Sequence, residues 1–143
     1  MDRRSCCAEY VSAHGPGPFF GRLLISLIFI LAGISKIFDF QSTSEALRNM
    51  GIQKAEIFIV IAILMELIGG ILLLLGWHTR AAIYILMIFL LPTTLIFHSF
   101  WHYQGAEMKV QLSNFLKNLT IYGGLLLLLS YGPGRWSVDA LRE

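Results

Sequence analysis

The chain has 143 residues, of which 56% are hydrophobic and only 14% are charged. A soluble domain carries roughly 25% charged residues, so the charged side chains here are too few to cover a protein that contacts only water. The formal net charge is +2, from 11 Lys and Arg against 9 Asp and Glu, which argues against a nucleic-acid-binding module with a basic stripe. High hydrophobicity also argues against disorder. The composition predicts an integral membrane protein.

Four apolar segments are long enough to cross a bilayer, whose core of about 30 Å needs roughly 20 helical residues. They cover about residues 19–38, 57–76, 81–100 and 113–131. Apolar runs such as Leu125–Leu129 lack the alternation of β-barrel strands, and a helix satisfies its own backbone groups in lipid. We therefore predict an all-α fold, an integral membrane four-helix bundle, with residues 1–18 as a flexible N-terminal tail, 19–131 as the four-transmembrane-helix domain and 132–143 as a C-terminal tail.

The N-terminal tail contains the two cysteines of the chain, Cys6 and Cys7. Adjacent cysteines are poorly placed for an ordinary structural disulfide, and without a C-x-x-C motif a dithiol relay is poorly supported. We interpret them as free thiols.

The loop after the first span contains the signals of a short helix. Ser42 and Glu45 fit a capping box, with Ser42 as N-cap and Glu45 at the N3 position, and Gly51 fits a helix stop. We predict a short interfacial helix over residues 43–50. Further along the chain, Pro92 predicts a kink in the third span.

The orientation of the bundle follows only weakly from the positive-inside rule. An even number of spans puts both termini on one side. Six cationic residues fall on the side of the termini and five on the other side. This small excess predicts that both termini are cytoplasmic.

Glu66 lies at the middle of the second span, where an acidic side chain costs about 2.5–3.5 kcal/mol on insertion scales. Its helical neighbours Ala62, Gly69 and Gly70 are small, so they allow another helix to approach. We predict that this face turns inward. Glu66 then either has a functional role or forms an interhelical hydrogen bond that only holds the bundle.

Lys36 lies near the end of the first span, on the side where the second span begins. It is either a partner for the polar core or a lysine that snorkels to the interface. The helical rise puts Lys36 about 3 Å from the end of its span and Glu66 about 15 Å from the start of the next. A direct Lys36–Glu66 pair therefore needs offset helices or a bridging water. Arg22, near the opposite surface, is expected to snorkel.

His98, at the end of the third span, has Thr94 one turn deeper and His102 at i+4. Two histidines at i and i+4 can bind a metal, with Glu107 as the nearest acidic ligand, but the spacing alone is a weak signal. We predict no metal site and a hydrogen-bonded or proton-relaying His98. Haem is also not expected, because His78 and His98 lie about 30 Å apart along one helix.

Polar groups from four helices fall in one half of the membrane or at its midplane. These groups are Lys36, Glu66, His98 and Asn118. Their convergence predicts a small polar pocket that opens on the side of the two longer loops. Asn114 and Lys117 enter the fourth span from the same side and are also explained by ordinary helix-end capping and solvation.

Six stretches of the chain resemble the DoxX family of small four-span bacterial membrane proteins, in order and spacing, over about residues 19–139. The stretches are Leu31–Phe38, Met65–Leu72, Gly76–Arg80, Phe97–Trp101, Phe115–Leu119 and Gly132–Arg135. The resemblance implies a bacterial inner (cytoplasmic) membrane protein. It also implies a link to redox chemistry, because the founding association of the family is with a quinol oxidase and thiosulfate:quinone oxidoreductase system. The residues that fall on family motif positions are Lys36, Glu66, His98, Lys117 and Asn118.

Two hypotheses about function follow. In the first, the bundle is a redox-linked subunit that binds a quinone or similar molecule: Glu66 and His98 pass protons, and Lys36 stabilises negative charge. The candidate ligand-binding residues are Lys117, Asn118, Thr94 and Trp101. In the second, the protein is a non-catalytic assembly partner or a carrier of small solutes or lipids. The chain shows no dinucleotide fingerprint and no iron–sulfur cysteines, so whether it is an enzyme stays open. A redox role predicts a partner subunit beside the lipid bilayer, and glycine pairs are also compatible with a homo-oligomer.

Overall fold

The computed structural model describes residues 16–142, so the predictions for Cys6 and Cys7 lie outside the described residues. Its helices are α1 (Gly17–Phe38), α2 (Phe40–Asn49), α3 (Ala55–Leu75), α4 (Thr79–Phe97) and α5 (Gly105–Tyr131), with 3₁₀ turns at Phe100–His102 and Asp139–Leu141. Four of them, α1, α3, α4 and α5, are long and apolar enough to cross a membrane. The predicted four-helix membrane bundle is confirmed.

The four long helices form a closed ring of contacts, in which α1 packs on α3, α3 on α4, α4 on α5 and α5 on α1. The tight turn between α3 and α4 makes these two helices antiparallel neighbours. Gly76 ends α3 with a φ of +64°, a left-handed conformation that favours glycine. The core of the bundle is formed by buried apolar residues from all four helices, among them Phe29, Leu73, Leu86 and Leu125.

Two glycines set the position of α1 along α3. A Cβ at Gly33 would lie 2.8 Å from Leu67 Cδ2, and a Cβ at Gly70 would lie 2.9 Å from Ile30 Cγ1. Both glycines therefore allow a close approach that any larger residue would prevent. Ile30 faces Gly70, and Gly33 faces Leu67. With these residues side by side, roughly two turns at the start of α3 extend beyond the end of α1.

Helix α2 covers the part of α3 that extends beyond α1. Leu47 of α2 is buried against Ala55 and Ile59 of α3, and Phe97 of α4 closes the cluster. The predicted helix between the first two spans is therefore confirmed. It begins at Phe40 rather than at residue 43 and ends at Asn49, two residues before Gly51, which has a φ of +87°.

The predicted capping box at Ser42 is wrong. Asp39 occupies the N-cap position of α2, and no side chain caps the helix. The Ser42 hydroxyl instead donates to the Asp39 carbonyl oxygen at 3.0 Å. The reason is that the helix already begins at Phe40, so the Glu45 N–H that a Ser42 cap would bind lies inside the helix.

The boundaries of α4 and α5 differ from the predicted spans. Helix α4 ends at Phe97 instead of residue 100 and continues through Pro92 without interruption. Helix α5 begins at Gly105 instead of residue 113. Hydropathy detects the strongly apolar part of a helix, whereas the first two turns of α5 are mostly exposed and include Glu107, Lys109 and Gln111. The helix ends at Tyr131, before Gly132, as predicted.

The C-terminal segment, residues 136–142, packs on the turn between α3 and α4. The Val138 N–H donates to the Leu75 carbonyl at 3.1 Å, and the Asp139 N–H donates to the Gly76 carbonyl at 2.8 Å. The Asp139 carboxylate accepts hydrogen bonds from the N–H groups of His78 and Thr79, both at 2.8 Å, and from the Thr79 hydroxyl at 2.7 Å. Asp139 therefore supplies the cap of α4 from a distant part of the chain.

The expectation that Arg22 snorkels to the membrane surface is wrong. Its side chain is fully buried and donates to the carbonyl oxygens of Leu73, Leu74 and Trp136. The last carbonyls of a helix have no partner within the helix, so the end of α3 offers acceptors close to the guanidinium. Arg22 thus joins α1 to α3 and to the C-terminal segment.

The cap at Asp139 predicts a pH-dependent stability. Burial pushes the pKa of the Asp139 carboxyl upward, but hydrogen bonds from Thr79 and His78 outweigh it and hold the pKa below its ordinary value. A lowered pKa stabilises the fold above the unfolded-state pKa of about 3.9 and loses that contribution as the pH falls through the folded-state pKa. We expect Asp139→Asn to lower the unfolding free energy by about 1 kcal/mol at pH 7, because hydrogen bonds to a charged acceptor are stronger than those to a neutral one.

The measurement is urea unfolding in detergent at several pH values. The difference between wild type and Asp139→Asn should shrink as the pH falls below the ordinary range of carboxyl groups. Glu107→Gln, an exposed acid at the other end of the molecule, is the control and should not reproduce this trend. A difference that stays constant with pH would contradict the proposed role of the ionised cap.

Candidate functional site

An ion pair between α1 and α3 is the most buried charged arrangement at the predicted site. Lys36 Nζ lies 2.8 Å from both Oε1 and Oε2 of Glu66. The sequence predicted that a direct pair needs either offset helices or a bridging water. The pair forms directly because α3 is offset along α1. Lys36 thus reaches Glu66 from near the end of α1, although Glu66 lies near the middle of α3.

The burial of the two partners is unequal. The Glu66 side chain is only 4% exposed, whereas the Lys36 side chain is 28% exposed. Gly33 permits this burial, because a Cβ there would lie 3.4 Å from Glu66 Cβ. Gly69 and Gly70 are buried on the same face, so the prediction that this face of the second span turns inward is confirmed. The pair is closed on its Glu66 side and accessible on its Lys36 side.

A second polar pair joins α4 to α5. The Asn118 side-chain N–H donates to the Thr94 hydroxyl oxygen at 3.1 Å, and the Thr94 hydroxyl donates to the Leu90 carbonyl at 2.7 Å. Thr94 is buried and Asn118 is half-buried. This chain of hydrogen bonds links the side chain of Asn118 on α5 to the backbone of α4.

His98 is placed by the end of α4 and the start of α5. Its Nδ1 lies 2.9 Å from Gln111 Oε1, so a ring that carries the proton on Nδ1 donates to the amide oxygen. His98 follows the last residue of α4 and His102 belongs to a 3₁₀ turn, so the two histidines do not share one α-helical face. Within residues 16–142, no three His, Cys, Asp or Glu side chains are grouped as metal ligands.

The remaining candidate residues lie at the surface. The Lys117 ammonium donates to Asn114 Oδ1 at 3.0 Å within α5. Trp101 is 52% exposed, and its ring packs edge-on against Phe115. Neither side chain contacts the Lys36–Glu66 pair in the described part of the chain.

The structure therefore brings the predicted site residues together in separate pairs. Lys36 contacts Glu66, Asn118 contacts Thr94, and His98 contacts Gln111. Among the hydrogen bonds of residues 16–142, none joins the first pair to the second. A cavity of about 340 Å³ lies beside the third pair and is lined by Tyr103, Ala106, Glu107, Val110 and Gln111.

Sequence reasoning missed Gln111 and the structural role of Arg22. Gln111 precedes the predicted fourth span, although the strong helix formers of residues 106–112 favour an earlier start of α5. A polar residue within that extension would then face the end of α4. For Arg22 the sequence carries no equivalent signal, because its partners are backbone carbonyl oxygens.

Comparison with known proteins identifies the family. The DoxX family profile matches residues 17–99, more than half of the chain. The chain belongs to the DoxX family. It is 34% identical over 118 residues to inner membrane protein YphA of Escherichia coli, covering 82% of this chain and 84% of YphA. It is 38% identical over 125 residues to inner membrane protein YqjF of the same organism, covering 87% and 91%.

An uncharacterized membrane protein of Mycobacterium tuberculosis is 31% identical over 132 residues, which cover 82% of this chain and 76% of that protein. No solved structure is significantly similar to the chain. The DoxX match spans α1 to α4 and so includes Lys36, Glu66, Thr94 and His98. Helix α5, with Lys117 and Asn118, lies beyond the matched residues.

Proposed function

We propose that this DoxX protein is the membrane-embedded binding subunit of a redox system, and that a quinone-type carrier dissolved in the bilayer binds at the Lys36–Glu66 pair. The observation that supports the proposal most directly is the unequal burial of the pair. Intramembrane charges mark functional sites by default. Here the acid is enclosed by helices, and the ammonium is partly accessible from outside the bundle.

The chemistry of the pair suits a carrier with carbonyl oxygens. The Lys36 ammonium can donate a hydrogen bond to a quinone oxygen and stabilise the negative charge that develops on it during reduction. Glu66 can exchange a proton with Lys36 at 2.8 Å and so connect the ligand to a buried acid. We propose that the electrons come from a partner subunit with a flavin or haem, because this sequence has no motif for either.

The names of the bacterial relatives support a location in the inner membrane. We propose the same location here, with both termini in the cytoplasm.

A specific observation also favours a purely structural role. Both oxygens of Glu66 engage the Lys36 ammonium, and the pair lies beside the close approach of α1 and α3 at Gly33. A pair that only locks these helices would suit the second function, a non-catalytic assembly partner or carrier of small solutes or lipids. The experiment must therefore separate binding from stability.

The test measures binding of decylubiquinone to the purified protein in nanodiscs, with protein-free nanodiscs as the background. Loss of a charge-assisted hydrogen bond costs about 1.5–3 kcal/mol. We therefore expect Lys36→Met to weaken quinone binding by roughly tenfold or more. Lys109→Met, which removes an exposed lysine from α5, is the matched control and should bind like wild type.

The double variant Lys36→Glu/Glu66→Lys distinguishes the two roles. It restores an ion pair between α1 and α3 but buries the ammonium and moves the carboxylate to the accessible side. We expect its unfolding midpoint to recover relative to Glu66→Lys alone, while quinone binding stays weak. Wild-type binding no stronger than the background, or unchanged binding in Lys36→Met, would refute the proposed function and leave the structural role.

A further inference from the structure

A large cavity lies at the end of the bundle opposite α2 and the His98–Gln111 contact. It is a groove of about 850 Å³ between the start of α4, the end of α5 and the C-terminal segment. This volume falls in the range of about 300–1,000 Å³ that is typical of small-molecule sites. The groove plays no part in the function proposed above.

Three arginines give the groove its charge. Arg80, Arg135 and Arg142 line it, and all three are exposed. Its only acidic residue is Asp139, whose two oxygens accept the hydrogen bonds that cap α4. The salt bridges within residues 16–142 are Lys36–Glu66 and Arg48–Glu56, so no carboxylate in that range forms a salt bridge with these guanidinium groups.

The positions of the arginines are not explained by the stability of the helices. Arg80 lies in the first turn of α4, where the helix dipole disfavours a cation and favours an anion. The Arg142 guanidinium lies over the Trp77 ring, 5.7 Å from its centre. This cation–π contact holds Arg142 beside the groove. Arginine is the residue of choice for phosphate groups, because its planar fork donates two parallel hydrogen bonds.

The other wall of the groove is apolar. Leu128 and Tyr131 from the last turn of α5 contribute to it. Tyr131 is 73% exposed, at a position where tyrosine rings sit at the level of lipid headgroups. A groove with guanidinium groups at one side and the lipid-facing end of a helix at the other has the polarity of a phospholipid.

We propose that this groove binds the headgroup of an anionic phospholipid. The phosphate lies among Arg80, Arg135 and Arg142, and the acyl chains follow α5 past the exposed Tyr131 and Leu127 into the bilayer. Basic pockets between transmembrane helices on the cytoplasmic side bind such headgroups. The groove therefore fixes a lipid at the end of the bundle that carries the C-terminal segment.

The experiment is native mass spectrometry of the full chain in detergent, titrated with phosphatidylglycerol or with phosphatidylcholine of the same acyl chains. We expect wild type to prefer phosphatidylglycerol. Each arginine near a headgroup contributes about fivefold in affinity, so Arg80→Gln/Arg135→Gln/Arg142→Gln should lose up to roughly a hundredfold in phosphatidylglycerol binding.

The matched control is Lys54→Gln/Lys109→Gln/Lys117→Gln, which removes the same formal charge from exposed residues outside the groove. It should keep the wild-type preference. The single variant Arg135→Gln, at an exposed position in the loop after α5, should lose about fivefold and tests the site even where the triple variant fails to fold.

Three results would overturn the proposal. The first is equal affinity of wild type for the two lipids. The second is an equal loss in the lysine control, which would indicate attraction to net charge alone. The third is full competition by glycerol 3-phosphate at the concentration of the lipid, which would assign the groove to a soluble phosphoester. A negative result in the quinone experiment would not contradict the lipid site, because the two ligands are proposed to bind different residues.

Discussion

Glu66→Ala is expected to lower the unfolding free energy by about 3 kcal/mol, toward the lower end of the range of 3–5 kcal/mol for breaking a buried ion pair. The substitution leaves the Lys36 ammonium without a counter-charge within the membrane-spanning part of α1. The lower end applies because Lys36 is 28% exposed and can turn toward the interface. The measurement is reversible unfolding in mixed micelles of mild detergent and dodecyl sulfate, followed by circular dichroism.

The double variant Lys36→Met/Glu66→Leu provides the control. Replacing a buried ion pair by apolar residues of similar size is often neutral or stabilising, so the double variant should be clearly more stable than Glu66→Ala. A double-mutant cycle through Lys36→Met and Glu66→Leu then gives the coupling energy of the pair. Additive effects of the two single substitutions would show that the contact contributes nothing to stability.

Arg22→Met is expected to lower the unfolding free energy by about 3 kcal/mol, since a buried carbonyl left without a donor costs about 1–3 kcal/mol. The variant removes the hydrogen bonds to Leu73, Leu74 and Trp136. The C-terminal segment also loses its hydrogen bond to α1 and keeps the ring contact between Phe19 and Trp136. Hydrogen exchange should therefore accelerate at the amides of Val138 and Asp139, by about tenfold for each 1.4 kcal/mol of local opening free energy lost.

Two further variants make this result specific. Arg22→Lys should recover only part of the stability, because a single ammonium cannot span carbonyls from two chain segments as a guanidinium does. Arg48→Met removes an exposed arginine of α2 that pairs with Glu56, and surface pairs contribute only about 0–1 kcal/mol. Unchanged exchange at Val138 in Arg22→Met would contradict the proposed attachment.

The helices and the inward face of Glu66 could be predicted because each depends on local sequence. Apolar length defines a span, and small residues at i−4, i+3 and i+4 around Glu66 indicate the face that another helix approaches. The offset between α1 and α3 could not be predicted in this way. It depends on where Gly33 and Gly70 meet Leu67 and Ile30, which is a property of two surfaces together.

The errors at Arg22 and α5 have different physical causes. The length of a side chain and its distance from a span end suggest snorkelling, but they contain no information on backbone acceptors that another helix brings nearby. For α5, hydropathy detected only the strongly apolar part of the segment. The helix itself begins earlier, at Gly105. The predicted polar groups form separate pairs for the same reason, because the positions of the helices relative to one another decide which side chains meet.

The attachment of the C-terminal segment to Arg22 imposes an order on biogenesis. A ribosome synthesises Arg22 early and Trp136 late, after all four membrane-crossing helices have been translated. During that interval the guanidinium lacks one of its three carbonyl acceptors, and α4 lacks the carboxylate that caps its first turn. The hydrogen bond from Arg22 to Trp136 and the carboxylate cap on α4 can therefore form only after all four membrane-crossing helices have been translated.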